Sequence, residues 1–366
     1  MNTNLVYHSV NAEPQKADYG EFEVVDFFIK SDRNLVRNSV RIEGELKVNS
    51  AADTRALFAD NVGYPERLGI HAAIKSISVS LDGQVIENLQ EGYNRYVNMV
   101  ESATSARDDV YDSLKLCELK APSVNATYAL ASGVKPDAAD DNQVNVDFSM
   151  KPSCCLNKMD GDLPLSRVGL VKISVTLNRN ASFLCGAGMT TDFNYKLVNL
   201  KLTYRTTPPA ANPQVNMRAV SVIKGTLQNP FANVDARVNA MIDSVAISFV
   251  RQTEENLLKR DPTVLSQPEG ISELQFLVND STNGYLQYVI DSPAEMVTKG
   301  LEALSSAGHT QSNFENIRAS NGFLTGLKFP QTMNFMNNKL SVQVKSNASN
   351  VIPYNMYMYF HNLISV

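Results

Sequence analysis

The sequence predicts a mainly β protein made of two tandem β-sandwiches, with short helices in the connecting loops. The chain has 366 residues, which suggests two domains because single domains usually contain about 100–200 residues. The stretch Val171–Ser182 returns as Asn338–Ser349, 338 − 171 = 167 residues later, with six of twelve positions identical. Between the halves, residues 207–213 (TPPAANP) contain three prolines and indicate a linker.

The repeated stretch has the pattern of a strand buried on one face. The paired positions Ile173/Leu340, Val175/Val342 and Leu177/Val344 place an apolar residue at every second position. The spacing of 167 residues is far longer than the roughly 20–50 residues of a solenoid or propeller unit. The repeat therefore predicts two copies of a whole domain.

Along the first half, residues 1–20 show no periodicity and are interpreted as an extended N-terminal arm. Strands are predicted at Phe22–Lys30 and Val40–Val48. Ile74–Leu81 leads through Asp82-Gly83 into Gln84–Glu87, and Asp-Gly between two such runs is a strong hairpin signal.

Two capped helices are predicted, one in each half. In the first, Asn88 is the expected cap, Glu91 completes a capping box, and the helix ends near Ser105. In the second, Ser292 is the expected cap and Pro293 stands at the first helical position, where a missing amide hydrogen costs nothing.

The remaining segments complete the two units. Ala121–Asn145 contains two prolines and the acidic run at 137–141, and it is interpreted as a long surface loop. Further strands are predicted at Val171–Leu177, Tyr195–Tyr204, Ala219–Leu227, Met241–Val250, Ile271–Val278, Asn338–Val344 and Tyr354–Phe360. The predicted domains are an arm (1–20), a first unit (21–206), a linker (207–216) and a second unit (217–366).

Composition and charge argue against several classes of protein. Hydrophobic residues make up 43% and charged residues 19%, as in a soluble globular protein, and no run reaches the roughly 18–20 apolar residues of a membrane span. No secretory signal is visible at the start, so we expect the protein to stay inside the cell that makes it. The net charge is −5 and the arm is not basic, which argues against direct nucleic-acid binding.

No catalytic, metal or cofactor site is predicted. The four histidines, His8, His71, His309 and His361, lack metal-ligand spacing. The cysteines are Cys117, Cys154, Cys155 and Cys185, and they are interpreted as free thiols, although Cys154 and Cys155 could form a vicinal disulfide. The aromatic cluster Tyr354, Tyr357, Tyr359 and Phe360 is interpreted as core packing on a closing strand.

Here the pattern resembles a known family. Each unit has a helix in its middle, a Lys-x-Ser-Val strand, Asn-Ala-Ser and a final strand that opens with tyrosine. Two such units joined by a proline linker resemble the double jelly-roll major capsid proteins of tailless icosahedral DNA viruses. The resemblance covers the architecture from about Glu21 to Val366 and is most specific at Leu163-Pro-Leu165 and Val351-Ile-Pro-Tyr354.

The resemblance implies two eight-stranded jelly rolls and a structural role without enzymatic activity. It further implies a homotrimer that forms a pseudo-hexagonal capsomer, contacts with neighbouring capsomers and with penton or minor capsid proteins, and a place in the virion. The resemblance leaves open whether an internal membrane lies beneath the shell. The alternative is a two-domain jelly-roll protein that binds or hydrolyses glycans, although the chain has no tryptophan to serve as a sugar platform.

Overall fold

The computed structural model describes residues 4–49, 62–65, 68–104, 117–120, 145–186, 188, 190–209, 214–228, 230–255, 265–279, 289–306, 323–347 and 352–366. Residues 121–144 of the predicted surface loop, together with His309, lie outside this part of the chain.

The first sandwich consists of two sheets. In one, the strands run in the order β1-β11-β5-β8, which are Val6–Asn11, Asn194–Thr207, Arg41–Asn49 and Asn145–Met150. In the other, the order is β3-β10-β6-β7, which are Val24–Ile29, Val171–Leu177, Ile74–Leu81 and Gln84–Leu89. Three two-residue strands extend the first sheet: β2 (Asp18–Tyr19), β4 (Asn34–Leu35) and β9 (Leu163–Pro164).

The second sandwich repeats this connectivity. One sheet has the order β12-β18-β14-β16, which are Asn216–Leu227, Tyr354–Ser365, Met241–Arg251 and Leu324–Asn334. The other has the order β13-β17-β15, which are Phe231–Ala236, Leu340–Ser346 and Ile271–Val278. In both sandwiches the final strand lies between the first strand and a middle strand, which is the arrangement of a jelly roll.

The two copies of the repeat hold equivalent positions. Strand β10 lies between β3 and β6, and β17 lies between β13 and β15, with antiparallel pairing throughout. Within β10, buried residues alternate with partly exposed ones along the whole strand. Both copies are therefore strands, as predicted, and they occupy equivalent places in their sheets.

The N-terminal residues differ from the prediction of an arm. Val6–Asn11 form strand β1, which pairs along its full length with β11, from Val6 opposite Thr206 to Asn11 opposite Lys201. The ring of His8 stacks on Tyr204 with 4.9 Å between centroids. The sequence gives little sign of this strand because it lies at a sheet edge with one half-exposed face, so its order comes from the ladder to a partner almost 200 residues away.

Of the two helices predicted from the sequence, one begins where predicted and the other does not. The helices are α1 (Tyr93–Thr104), α2 (Leu165–Val168), α3 (Asn180–Phe183) and α4 (Pro293–Ser306), with 3₁₀ turns at Gly69–Ala73 and Cys155–Asn157. Helix α4 begins at Pro293 as predicted, and the amide of Met296 donates to the carbonyl of Ser292 at 2.8 Å. The predicted cap at Asn88 is wrong, because pairing with β6 keeps residues 88–89 extended.

The structure also gives the limits of the linker and adds strands that the sequence did not predict. The linker prolines follow directly after β11, which ends at Thr207, and β12 begins at Asn216. Strands β8, β13 and β16 were not predicted from the sequence. Pro330 lies within β16, in a stretch where the pairing with β14 is interrupted by a bulge, so the ladder loses no donor there.

The sandwiches share one core and one sheet. Strand β7 pairs with β12 in parallel at Asn88 and Ser221, which joins four strands of each sandwich into a sheet of eight. Buried apolar side chains form a single cluster through both sandwiches. The predicted aromatic core residues Tyr354, Tyr357, Tyr359 and Phe360 are all buried. Within the described ranges, no helix combines the length and the apolar character that crossing a membrane requires.

The pairing of β1 leads to a stability prediction. Deleting residues 1–12 should destabilise the folded protein by at least about 2 kcal/mol, because β11 loses a full ladder partner and the buried side chain of Ala12 is removed. This corresponds to a fall of at least about 3 °C in melting temperature, measured by calorimetry, because the unfolding entropy is about 2.1 cal/mol/K per residue and the chain has 366 residues. Ser9→Ala, which changes an exposed side chain of the same strand, is the control, and an unchanged melting temperature in the deletion would restore the arm interpretation.

Candidate functional site

The two sandwiches meet along a surface that we call the seam. On the side of the first sandwich it contains helix α1 and the segment 155–160; on the side of the second it contains strands β12 and β18. Asp160 donates its amide to the carbonyl of Asn216 at 3.1 Å, and Met159 pairs with Met217 as an isolated bridge. The segment thus continues the pairing of β12 beyond its contact with β7.

A glycine allows α1 to approach β18 closely. Gly92 precedes the helix with φ +80°, a conformation that glycine adopts without strain. A Cβ atom there would lie 2.9 Å from the Tyr357 ring and 3.0 Å from the hydroxyl of Tyr359. That hydroxyl donates to the Gly92 carbonyl at 3.0 Å, and the rings of Tyr96 and Tyr359 pack with 5.1 Å between centroids.

A chain of hydrogen bonds crosses the seam. Ser244 donates to the carbonyl of Ala303 at 2.9 Å, so its oxygen accepts from Nδ1 of His361 at 2.7 Å. Nε2 of His361 is then an acceptor and takes the hydroxyl proton of Tyr96 at 3.3 Å, while Lys158 Nζ donates to Tyr96 at 3.4 Å. The pattern assigns the neutral Nδ1–H tautomer to His361.

Glu87 is a second polar contact between the sandwiches. It lies fully buried on β7, where one carboxylate oxygen accepts the amide of Cys155 at 2.6 Å and the other accepts the amide of Val220 on β12 at 3.0 Å. Burial raises the pKa of Glu87, although the charge of Lys158 and the two amides act in the opposite direction. One side chain therefore satisfies backbone donors from both sandwiches.

A further buried network of hydrogen bonds fixes Tyr93, the first residue of helix α1. The amide of Ser153 donates to the Tyr93 hydroxyl at 3.0 Å, so Tyr93 donates to Nδ1 of His71 at 3.0 Å. Nε2 of His71 then donates to Glu118 at 3.3 Å, and Lys120 pairs with the same carboxylate at 2.9 Å. Burial and the charge of Lys120 lower the pKa of His71, so its ring is neutral at pH 7.

A third group lies at the start of α1. Arg95 pairs with Glu255 of the second sandwich at 3.2 Å, and the hydroxyl of Tyr357 donates to the same carboxylate at 2.6 Å. The guanidinium of Arg95 also lies 4.8 Å from the centroid of the Tyr357 ring. Burial acts to raise the pKa of Glu255, but Arg95 and Tyr357 outweigh it and the pKa is lowered.

These residues position the sandwiches and form no catalytic arrangement. No group of three or more His, Cys, Asp or Glu side chains suited to a metal ion occurs in the part of the chain described. The four cysteines are free thiols, as predicted; Cys117 is exposed and the other three are buried. Burial raises the pKa of Cys154 to about 12, which leaves that thiol protonated and unreactive at neutral pH.

Sequence reasoning did not find the seam. Glu87, Tyr96, Lys158 and His361 form no motif, since Tyr96 and His361 are 265 residues apart in the chain. The available signal was the tyrosine-rich closing strand, which was correctly interpreted as packing.

The hydrogen-bond chain predicts the effect of removing one hydroxyl. Tyr96→Phe keeps the ring packing but leaves Nε2 of the buried His361 without its donor, and Lys158 without its acceptor. The free energy of unfolding should fall by about 1–3 kcal/mol, measured by urea denaturation. Tyr7→Phe, on an exposed tyrosine, is the matched control, and equal stability of the two variants would show that the chain contributes nothing.

The His71 network predicts acid sensitivity. Because the pKa of His71 is lowered from its ordinary value of 6.5, the unfolded chain binds the proton more readily, and stability falls as pH drops below about 6.5. The pKa of Glu118 is also lowered, because bonds from His71 and Lys120 outweigh burial, so a further loss begins below its ordinary 4.5. Melting temperature measured from pH 8 to 4 should decline in this way.

His71→Gln should flatten that decline between pH 6.5 and 5, whereas the control His8→Gln should leave it unchanged. A wild-type melting temperature constant from pH 7 to 4 would contradict the assignment.

No protein-family description and no curated protein sequence matches the chain. Several solved structures are similar to the chain. A structure of PBCV-1 VP54, fitted into a reconstruction of the virophage Sputnik, has 12% identity and a TM-score of 0.61, over 100% of this chain and 95% of that one. The mavirus major capsid protein has 12% identity and a TM-score of 0.56, over 98% and 90%.

The Faustovirus major capsid protein has 9% identity and a TM-score of 0.61, over 100% of this chain and 90% of that one. All three alignments cover both sandwiches and the seam, not a single jelly roll. The chain therefore has the double jelly-roll fold of these viral capsid proteins.

Proposed function

We propose that the chain is the major capsid protein of an icosahedral virus, and that three copies form a pseudo-hexagonal capsomer. The observation that carries the proposal is the likeness to three viral capsid proteins over nearly the whole length of each chain. A match to one jelly roll would be weak support, since that architecture serves many unrelated functions. Agreement in the pairing and orientation of two jelly rolls is more restrictive.

The seam supports this role mechanically. A capsomer wall must keep its shape when neighbouring capsomers press on it, so the two sandwiches of each subunit need one fixed relative orientation. The shared eight-stranded sheet and the buried bonds of Glu87 and His361 provide such an orientation. Three rigid double units would place six sandwiches in a ring, which gives six sides from three chains.

Exposed apolar side chains support subunit contacts. Large apolar residues that are more than half exposed occur in both sandwiches: Tyr7, Phe22, Val85 and Met336. Single exposed apolar residues are common, but aromatic residues and methionine are enriched at protein interfaces. We infer that some of these residues become buried in the trimer or between capsomers.

The proposal includes further assignments. The proposed domain limits are a first jelly roll of residues 21–206, to which β1 is added, a linker of residues 207–216 and a second jelly roll of residues 217–366. The proposed location is the virion, after synthesis inside the host cell. The proposed partners are neighbouring capsomers and penton or minor capsid proteins, and neither enzymatic activity nor sequence-specific nucleic-acid binding is assigned.

Analytical ultracentrifugation and electron microscopy of the purified protein test the proposal. We expect a species of three times 40.3 kDa and, in micrographs, hexagonal particles with three-fold symmetry after averaging. The triple variant Tyr7→Ser, Phe22→Ser, Met336→Ser should shift the equilibrium towards monomer, because a trimer interface depends on buried apolar contacts.

A control for that experiment replaces exposed charges at sheet positions, Lys345→Ser and Lys201→Ser, and should leave the trimer intact. Monodisperse monomers of about 40 kDa that bind glycans on an array would contradict the capsid proposal and favour the glycan-binding alternative.

A further inference from the structure

A cleft of about 230 Å³ lies where the N-terminal end of α1 meets the second sandwich. The first sandwich contributes Lys75, Arg95 and Arg179 to its walls, and the second contributes Lys224 and Glu255. The volume exceeds that of several water molecules, each of which occupies about 30 Å³ in the liquid. Any molecule in this cleft would touch both sandwiches at once.

The walls of the cleft carry more positive than negative charge. Among the described residues, four cationic side chains and two carboxylates, those of Glu91 and Glu255, line it, which leaves a balance of two positive charges. Glu91 lies 3.9 Å from Lys75 and 3.9 Å from Lys224, so these pairs are loose. Within the described ranges Arg179 has no carboxylate partner; its Nε donates to Ser182 at 2.8 Å.

Arg95 has an unused donor in this place. Its side chain is about nine-tenths buried, and Nη2 pairs with Glu255 at 3.2 Å. Nη1 is buried without a hydrogen-bond partner in the part of the chain described. A buried donor on a charged group is costly to leave unpaired, so an acceptor at this position would be favourable.

The helix end adds a positive potential. Gly92 and Asn94 line the cleft, so it lies at the first turn of α1, and that turn contains no acidic residue. The first amides of a helix and its dipole favour a negative group at this end. Helix, lysines and arginines therefore act in the same direction.

We propose that this cleft binds an oxyanion, a phosphate or carboxylate group, that bridges the two sandwiches. Arg179, Lys75 and Lys224 supply the charge, and the unpaired Nη1 of Arg95 gains an acceptor after a small rotation of the guanidinium. Bound anion would draw the two sandwiches together at the end of the seam and raise the stability of the double unit. This role is additional to the proposed shell function and does not depend on it.

Thermal unfolding of the purified full-length protein tests the proposal. Sodium phosphate should raise the melting temperature with the logarithm of its concentration once that exceeds the dissociation constant, and by more than sodium chloride of equal ionic strength does. A parallel series in sodium citrate distinguishes carboxylate from phosphate as the favoured group. The dissociation constant obtained from this dependence should increase at least about tenfold in Lys75→Met combined with Arg179→Met.

The control is Lys345→Met, an exposed lysine on the far sheet of the second sandwich, which should respond to phosphate as the wild type does. Titration calorimetry with phosphate at 25 °C supplies a second measurement that does not require unfolding. Equal melting-temperature responses to phosphate in the wild type and the double variant would overturn the proposal. So would phosphate and citrate that raise the melting temperature no more than chloride does, with no saturable heat of phosphate binding in calorimetry.

Discussion

The structure depends on the buried hydrogen-bond chain that runs from Lys158 through Tyr96 and His361 to Ser244. Each member has a defined donor or acceptor role, so the chain forms only when both sandwiches are correctly placed. A small rotation of one sandwich would leave buried polar atoms without partners, and such atoms cost more than a formed bond contributes. The chain thus selects one orientation among the many that hydrophobic burial alone would accept.

The two long helices, α1 and α4, explain how two similar sandwiches come to have this relative orientation. Helix α4 packs on β14 and β16 of its own sandwich, and Gly300 allows the close approach, since a Cβ there would lie 2.1 Å from a methyl group of Leu324. Helix α1 occupies a comparable place in the chain, but Tyr96 and Arg95 direct one of its faces to the second sandwich. One helix therefore completes a sandwich, and the other connects two.

The seam also combines directional and non-directional contributions. The tyrosine rings of β18 bury large apolar areas, while their hydroxyls reach Gly92, Glu255 and the backbone, so each ring contributes both packing and a hydrogen bond. Buried polar groups of this kind add little net stability compared with apolar replacements, but they restrict the alternatives.

Much of the fold could be predicted from local pattern. Alternation of apolar and polar residues located β10, Asp82-Gly83 located the β6–β7 hairpin, and Pro293 located the start of α4, because each of these signals acts within a few residues. The twelve-residue stretch that recurs 167 residues later then predicted two equivalent units. What local pattern could not predict was β1, whose order comes from a partner almost 200 residues away, and the helix start at Tyr93, where strand pairing overrides a cap signal.

The sequence by itself determined that the chain forms two β-sandwiches with buried, tyrosine-rich closing strands, because alternation and turn chemistry are encoded in neighbouring residues. The tertiary structure alone decided how the sandwiches join. Glu87, Tyr96, Lys158 and His361 are unremarkable polar residues in the sequence, and their partners are set by the approach of α1 to β18 and of β7 to β12. Contacts between residues hundreds of positions apart leave no local signature, since they depend on the packing of whole units.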